Sequence, residues 1–479
     1  MRVVSTLLAA AALLAAHLVA PGPAHVAHAA AVVPVARAAA AVPSHANSTP
    51  WSAPATLSPC PADAAARVVF PSDSPSHATG RGAIIWSASS ACPGGEGTRV
   101  NAIGAGDLPG AAIIPSTAAG QPLALLGPLV ASGAPHGKIM IAGANPREAD
   151  EGLSIQGAAR GPFAVLHPSA GSTDPIALTT AYLGDVALAS PPAGGLRRGG
   201  LDVHVERFFS HSFTRNVLAR AASGGGRLQA LTLAMDYRAE TLAVWVQHGA
   251  LYARLVPGRG AAHPLERLAS IGAHPRIAAL LSDDNRAIVA WVEQHGMQTS
   301  VFIDRSKPGV RFGSPELLER FDDPDGLSSP AASPSLVRLS SESVVLAWAG
   351  SADGHWVVRA APVDLNGVLG LSTIAAPNAD ALLADLAPGP DDDALLLWTE
   401  PQPTAAGAPD VRREALFAAH GLNTSPGASL FGEPELVAAP APVGDAAVAF
   451  DPASDRAVAV WQGEAARIEY SIGGRAGGP

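Results

Sequence analysis

Cysteine is nearly absent: the chain of 479 residues has two, Cys60 and Cys92. In an exported protein an isolated pair of this kind reads as a disulfide rather than a metal or catalytic site. There is no Lys/Arg cluster of the kind that tracks a phosphate backbone, and 31 basic against 41 acidic residues leave a formal charge of −10, so nucleic acid is not an expected partner. The motifs Gly-x-Ser-x-Gly, His-Glu-x-x-His and the phosphate-binding loop are all missing, which removes the commonest hydrolase, metalloprotease and nucleotide signatures. Beyond the N-terminus no segment is apolar enough to span a membrane.

The N-terminus itself is distinctive. Arg2 precedes an uncharged apolar run, Val3 to Ala20, which Pro21 and Pro23 end, and a small-x-small site follows at Ala27, His28 and Ala29. This pattern predicts a secretory signal peptide over 1–29, and hence a secreted or cell-envelope-exposed bacterial protein. Residues 30–50, rich in Ala, Val, Pro and Ser without a sustained period, read as a flexible linker. No second linker cuts the rest, so 51–473 is expected to form one domain, with a disordered tail at 474–479.

Within that domain an apolar strand ending in tryptophan recurs: Leu242-Ala243-Val244-Trp245, Ile288-Val289-Ala290-Trp291, Val345-Leu346-Ala347-Trp348, Leu395-Leu396-Leu397-Trp398 and Val458-Ala459-Val460-Trp461, with an earlier copy at Ala83-Ile84-Ile85-Trp86. Tryptophans at 245, 291, 348, 398 and 461 stand 46, 57, 50 and 63 residues apart, near the length of a four-stranded propeller blade. The unit from Arg276 to Phe321 shows why strands are expected. Its runs Ile277–Leu281, Ala287–Glu293, Thr299–Asp304 and Pro315–Phe321 are short, and Ser282-Asp283-Asp284-Asn285, Gln294-His295-Gly296 and Ser306-Lys307-Pro308-Gly309 punctuate them with turn chemistry. Further units lie at Arg67–Ile114, Leu123–Pro168 and Ile176–Ala222. The fold expected is all-β: a β-propeller of about eight, alternatively seven, four-stranded blades. The unbroken apolar tryptophan runs are expected to be innermost strands covered on both faces, with their indoles in inter-blade packing.

The last unit holds only three strands, Ala446–Phe450, Ala457–Gln462 and Arg467–Ile472. A fourth is available at the other end of the chain. Trp51 to Leu57 matches the outer-strand pattern aromatic-x-x-Pro-x-x-apolar of Phe312–Leu318 and Phe431–Val437, so the N-terminal strand is expected to pair in the last blade and close the ring. Cys60 follows that strand and Cys92 follows the first tryptophan strand. Their bond would either lock this seam or tie down a loop.

Two turns, Ser306 to Phe312 and Ser425 to Phe431, keep the Ser, Gly and aromatic order of the Asp-box S-x-D-x-G-x-T-W without its aspartate. With this architecture, the chain resembles the sialidase-like superfamily of secreted bacterial propellers. The resemblance implies a propeller with the Asp-box turns between third and fourth strands, and for the family's sialidases three substrate-binding arginines, a Tyr-Glu nucleophile pair and an acid/base aspartate. This chain departs from that set. It offers only Tyr182, Tyr237, Tyr252 and Tyr470, and the fragment nearest the family's F/Y-R-I-P motif, Pro275-Arg276-Ile277, lies in a middle unit with no aromatic before it.

His248, His295 and His355 follow the tryptophan strand in three consecutive units and are the residues singled out for a ligand-binding face. Equivalent turns on adjacent blades are expected to be too far apart for one zinc ion, and Gln-His-Gly is itself good turn material. Asp323 and Asp325, with Gly326, approximate a calcium loop, while solvated hairpin turns account for the other acidic runs; no metal or cofactor is expected. The function expected is that of a monomeric, non-catalytic propeller presenting a ligand face to a protein or polysaccharide. The alternative is a divergent sialidase-like glycoside hydrolase or lyase using the central channel, and a third reading is a cell-envelope assembly scaffold. Arginines and carboxylates converging on the inner strands would mark the enzyme; Ala, Ser and Val there would mark the binder.

Overall fold

The computed structural model describes residues 50–474 apart from position 65 and a set of connecting segments, the longest being 71–81, 191–199, 323–333, 403–412 and 422–429. The expected signal peptide, all but the last residue of the expected linker, the tail from 475, and Asp323 and Asp325 lie outside the described residues. No described helix is long and apolar enough to cross a membrane.

The described chain is all-β, with one three-residue 3₁₀ turn at Glu464–Ala466. Its strands form eight antiparallel sheets. In the first seven, consecutive strands pair in chain order, beginning at Arg67–Val69, Leu126–Ala134, Ala177–Thr180, Leu228–Met235, Ala273–Leu281, Ser335–Arg338 and Leu382–Pro388. In the fifth sheet the two-residue strand Arg311–Phe312 and the longer Glu316–Asp322 both pair with Gln298–Lys307. The eighth sheet begins at Ala446–Asp451, continues through Arg456–Gln462 and Arg467–Gly474, and takes Ala55–Pro61 as its outer strand. Ala55 stands opposite Tyr470 and Thr56 opposite Glu469. Ahead of that strand, Ser52 N–H donates to Ile472 O at 2.8 Å, and Trp51 packs so closely on Gly473 that a Cβ there would come within 2.7 Å of the indole. The first strand of each sheet lies against the first strand of the next, and that of the eighth lies against that of the first.

The tryptophan runs occupy the second strand of their sheets, not the innermost one as the sequence led us to expect. The reason is geometric. A second strand has hydrogen-bonding partners along both edges and a neighbouring sheet over each face, so it is enclosed in four directions, whereas a first strand leaves one edge open. Their expected packing role is what the structure shows. Trp86, Trp245, Trp291, Trp348, Trp398 and Trp461 are all fully buried. Each fills the gap to the preceding sheet: Trp245 joins Ala177, Ala187 and Ala189, Trp348 joins Ile288 and Ala290, and Trp86 joins Val458 and Val460 of the eighth sheet.

Burying an indole obliges its N–H to find an acceptor. Trp86 donates to Asn101 Oδ1 at 2.9 Å, Trp348 to Glu319 Oε2 at 2.7 Å, Trp398 to Glu400 Oε1 at 2.9 Å and Trp461 to Glu469 Oε2 at 3.0 Å. Trp245 and Trp291 have no such acceptor and instead stack on their cross-strand neighbours Tyr252 and Phe302, centroids 5.7 and 5.4 Å apart.

Three deeply buried carboxyls, Asp236, Asp304 and Glu400, are held above their ordinary values of 3.8 and 4.5, foremost by desolvation. Above the ordinary values and up to the raised ones, the folded chain holds more protons than the unfolded chain, so stability falls as pH rises through that window. Asp283 acts in the opposite sense. The Arg338 guanidinium bonded to it lowers its pKa, and its contribution is lost only as pH falls below 3.8 through that lowered value. The thermal midpoint is therefore expected to climb as acidification carries the solution down through the raised values toward the ordinary ones, and to drop again as pH falls below 3.8. A midpoint that declines steadily over the first interval would contradict this assignment.

Candidate functional site

Register along the tryptophan strands defines levels on the first strands. The residue preceding the tryptophan pairs with Arg67 in the first sheet, Thr232 in the fourth, Ala278 in the fifth, Ser335 in the sixth, Asp385 in the seventh and Ala447 in the eighth. One level of the inner strands thus carries small side chains interrupted by one arginine and one aspartate. Arg67 is exposed and Asp385 half-buried, while Ala447 is covered.

Asp385 sits directly after a β-bulge, where the register of Leu382–Pro388 shifts between Leu383 and Asp385. Its Oδ1 accepts the Leu386 N–H and its Oδ2 accepts the Val448 N–H, both at 2.9 Å, the second across the gap to the eighth sheet. These bonds fix the carboxyl in one orientation. Desolvation by the surrounding protein raises its pKa, against the pull of the two N–H donors and of the Arg67 charge. The result is a desolvated carboxyl on a half-buried residue, biased toward its protonated form, oriented by two backbone N–H donors and within electrostatic reach of a cation. Such a group can give a proton to a leaving oxygen or take one from carbon, and the arginine can hold an anionic group or stabilise developing negative charge.

The three histidines stand at the connection between second and third strands of the fourth, fifth and sixth sheets, but at different positions: His248 lies in the turn, His295 ends the second strand and His355 begins the third. His248 takes a left-handed backbone, φ 54°, in the tight turn completed by Gly249. His295 Nε2 stands 3.3 Å from Glu293 Oε1, and the other Glu293 oxygen accepts the Gly272 N–H. His355 Nδ1 stands 3.6 Å from Asp380 Oδ1. His295 and His355 therefore each have a separate carboxylate. Among the described residues no three His, Cys, Asp or Glu side chains converge as a metal site.

The first Asp-box-like turn is a staple. Ser306 Oγ accepts the Ala287 N–H at 2.7 Å, and the carboxylate missing from the motif comes from Asp304, which accepts the Arg305 and Gly313 N–H groups at 2.7 and 3.1 Å. Glu266 of the fourth sheet accepts the Phe312 N–H at 3.1 Å. In the second such turn, Gly432 N–H donates to His420 O, the counterpart of the Gly313 to Arg305 bond in the first; most of that turn lies outside the described residues.

Sequence reasoning passed over Arg67 and Asp385. The available signal was an ionisable residue set in an apolar first strand, as in Leu382-Leu383-Ala384-Asp385-Leu386-Ala387 and Arg67-Val68-Val69.

No protein-family model and no curated protein matches the chain. Solved structures do. A polysaccharide lyase, an ulvan lyase, is 10% identical at a TM-score of 0.42, covering 75% of this chain and 92% of its own. An α-L-arabinofuranosidase from Fusarium graminearum is 14% identical at a TM-score of 0.39, covering 68% and 99%. A Trypanosoma rangeli sialidase is 8% identical at a TM-score of 0.33, covering 65% of this chain, which spans only 56% of that protein. At these identities and TM-scores the likenesses concern fold alone and assign neither family nor activity. The expectation of a non-catalytic, ligand-presenting propeller is corrected to this extent: the similar structures named are a lyase, a glycosidase and a sialidase, so none of them supports it and it is not carried further.

Proposed function

We propose that this chain is an exported, eight-bladed, sialidase-like propeller that cleaves polysaccharide, as a divergent glycoside hydrolase or lyase, at the central mouth where Arg67 and Asp385 face the channel. The blade count rests on eight sheets whose first strands succeed one another, the N-terminal strand pairing in the last to close the ring. The export step rests on the apolar run behind Arg2.

One observation carries the activity: a carboxyl with a raised pKa and an arginine occupy the same inner-strand level. Cleavage of a glycosidic bond requires proton transfer at the leaving oxygen, and a carboxyl whose pKa desolvation raises is placed to take part in it. In this assignment Asp385 moves the proton and Arg67 orients an anionic substituent or steadies charge. The turn histidines would border the same mouth as secondary contacts.

The test is a panel of neutral and anionic polysaccharides offered to the full chain, read by new reducing ends and by the ultraviolet absorbance of unsaturated products. Turnover is expected, with D385N lowering kcat/KM by about a hundredfold or more, the usual range for losing a general acid or base. R67A is expected to raise KM most on anionic substrates. Absence of turnover on every substrate, or full activity in a folded D385N variant, would sink the assignment.

A further inference from the structure

We propose that Cys60 and Cys92 form an oxidisable latch that ties the N-terminal strand of the eighth sheet to the first sheet. This rests on the path of the chain between the two, not on the activity assigned above. Cys60 lies in Ala55–Pro61, paired with the eighth sheet. Within three further residues the backbone changes allegiance. Ala62 N–H donates to Ala466 O at 2.8 Å on the eighth-sheet side, while Ala62 bridges Ala88 and Asp63 N–H donates to Ser87 O at 2.9 Å on the first-sheet side. Gln462 Nε2 also donates to Ala62 O at 2.9 Å.

Cys92 is delivered to the same place by a compact turn. Its N–H donates to Ser89 O, its carbonyl accepts the Gly95 N–H, and Ser89 N–H donates to Pro61 O at 3.1 Å. Its Sγ lies 3.5 Å from Pro61 O, the carbonyl one residue beyond Cys60, and the two cysteines pack into one cluster that also holds Val458 and Ile468 of the eighth sheet. Burial first, and the neighbouring Cys60 thiol second, push Cys92 up to about 11.

That asymmetry sets the order of events. With a disulfide reagent such as oxidised glutathione, the half-exposed Cys60 attacks as its thiolate, forming a mixed disulfide and releasing one glutathione thiolate. Cys92 then attacks Cys60 Sγ and expels the second. Two electrons pass from the protein thiols to the reagent, and the two thiol protons end on the two glutathiones. Cys92, buried and hard to ionise, resolves but does not initiate. Once closed, the bond restrains the one strand of the eighth sheet that comes from the opposite end of the chain, the strand otherwise freest to fray.

The full chain is treated under native conditions with oxidised glutathione, and free thiols are counted with maleimide after denaturation. The count is expected to fall from two to zero, with the thermal midpoint rising by several degrees and slower hydrogen exchange in Ala55–Leu57 and Ile468–Ile472, all reversed by dithiothreitol. C92S is expected to stop at one glutathione adduct on Cys60, and C60S to react more slowly than C92S because Cys92 is the buried one. Two thiols persisting in the treated wild type, C60S reacting faster than C92S, or a cross-linked chain that melts and exchanges like the reduced one would overturn the proposal. The thiol count and midpoint of the wild type test the latch by themselves, so it stays falsifiable even where a serine variant fails to fold.

Discussion

Replacing Trp398 with alanine is expected to cost about 3–5 kcal/mol of stability, the range for emptying a large aromatic from a closed core. The side chain is fully buried against Val345, Ala347 and Val358 of the sixth sheet and stacks on Phe417 at 5.9 Å. Its removal strands a second group. Glu400, 1% exposed, has its Oε1 bonded to the indole N–H, the single interaction that offsets its desolvation. Leaving such a group without its donor costs about 1–3 kcal/mol. The two contributions separate in phenylalanine variants. Trp291 has no acceptor for its N–H, so W291F loses volume alone and is expected to cost about 1 kcal/mol. W398F loses the donor as well. Glu400 is then held still higher, so the deficit should be greatest near neutral pH and shrink on acidification as the carboxyl protonates. Urea unfolding of both variants at two pH values checks this. Equal costs with no pH dependence would show that the indole bond contributes nothing.

Removing residues 1–61 is expected to destabilise the chain by about 3 kcal/mol or more. This deletion takes away the outer strand of the eighth sheet, the Trp51 ring on Gly473 and the partly buried Leu57. It also bares the edge of Arg467–Gly474, whose Ile468, Tyr470 and Ile472 belong to a half-apolar strand. An unpaired edge of that kind recruits other chains. The truncated protein should therefore melt earlier and associate with rising concentration, and a peptide spanning 50–61, added in trans, should reverse both. Light scattering and thermal melts measure this. A truncated chain that keeps its midpoint would mean that the pairing of Ala55 with Tyr470 carries no weight.

Much of this architecture can be read from residue order. Each tryptophan-ended run, the turns at Ser282–Asn285 and Gln294–Gly296, and the match of Trp51–Leu57 to Phe312–Leu318 are local patterns. Local patterns suffice because strand formation depends on alternating burial and turn chemistry over five to ten residues. The units expected at Arg67–Ile114, Leu123–Pro168 and Ile176–Ala222 correspond to sheets spanning 67–113, 126–170 and 177–220, although none of these repeats is regular.

The functional reading was the part that residue order left open. Trp348 finds its carboxylate on Glu319 of the preceding sheet, Asp385 is fixed by a backbone N–H of the following one, and Arg67 acts on Asp385 from the far end of the chain. Residue order alone settled where strands begin, where they turn and which faces must be dry. Only the stacking of sheets decided which polar groups meet, because a side chain's pKa and partners depend on the dielectric and charges within several ångströms in space, and those neighbours come from sheets far apart in sequence.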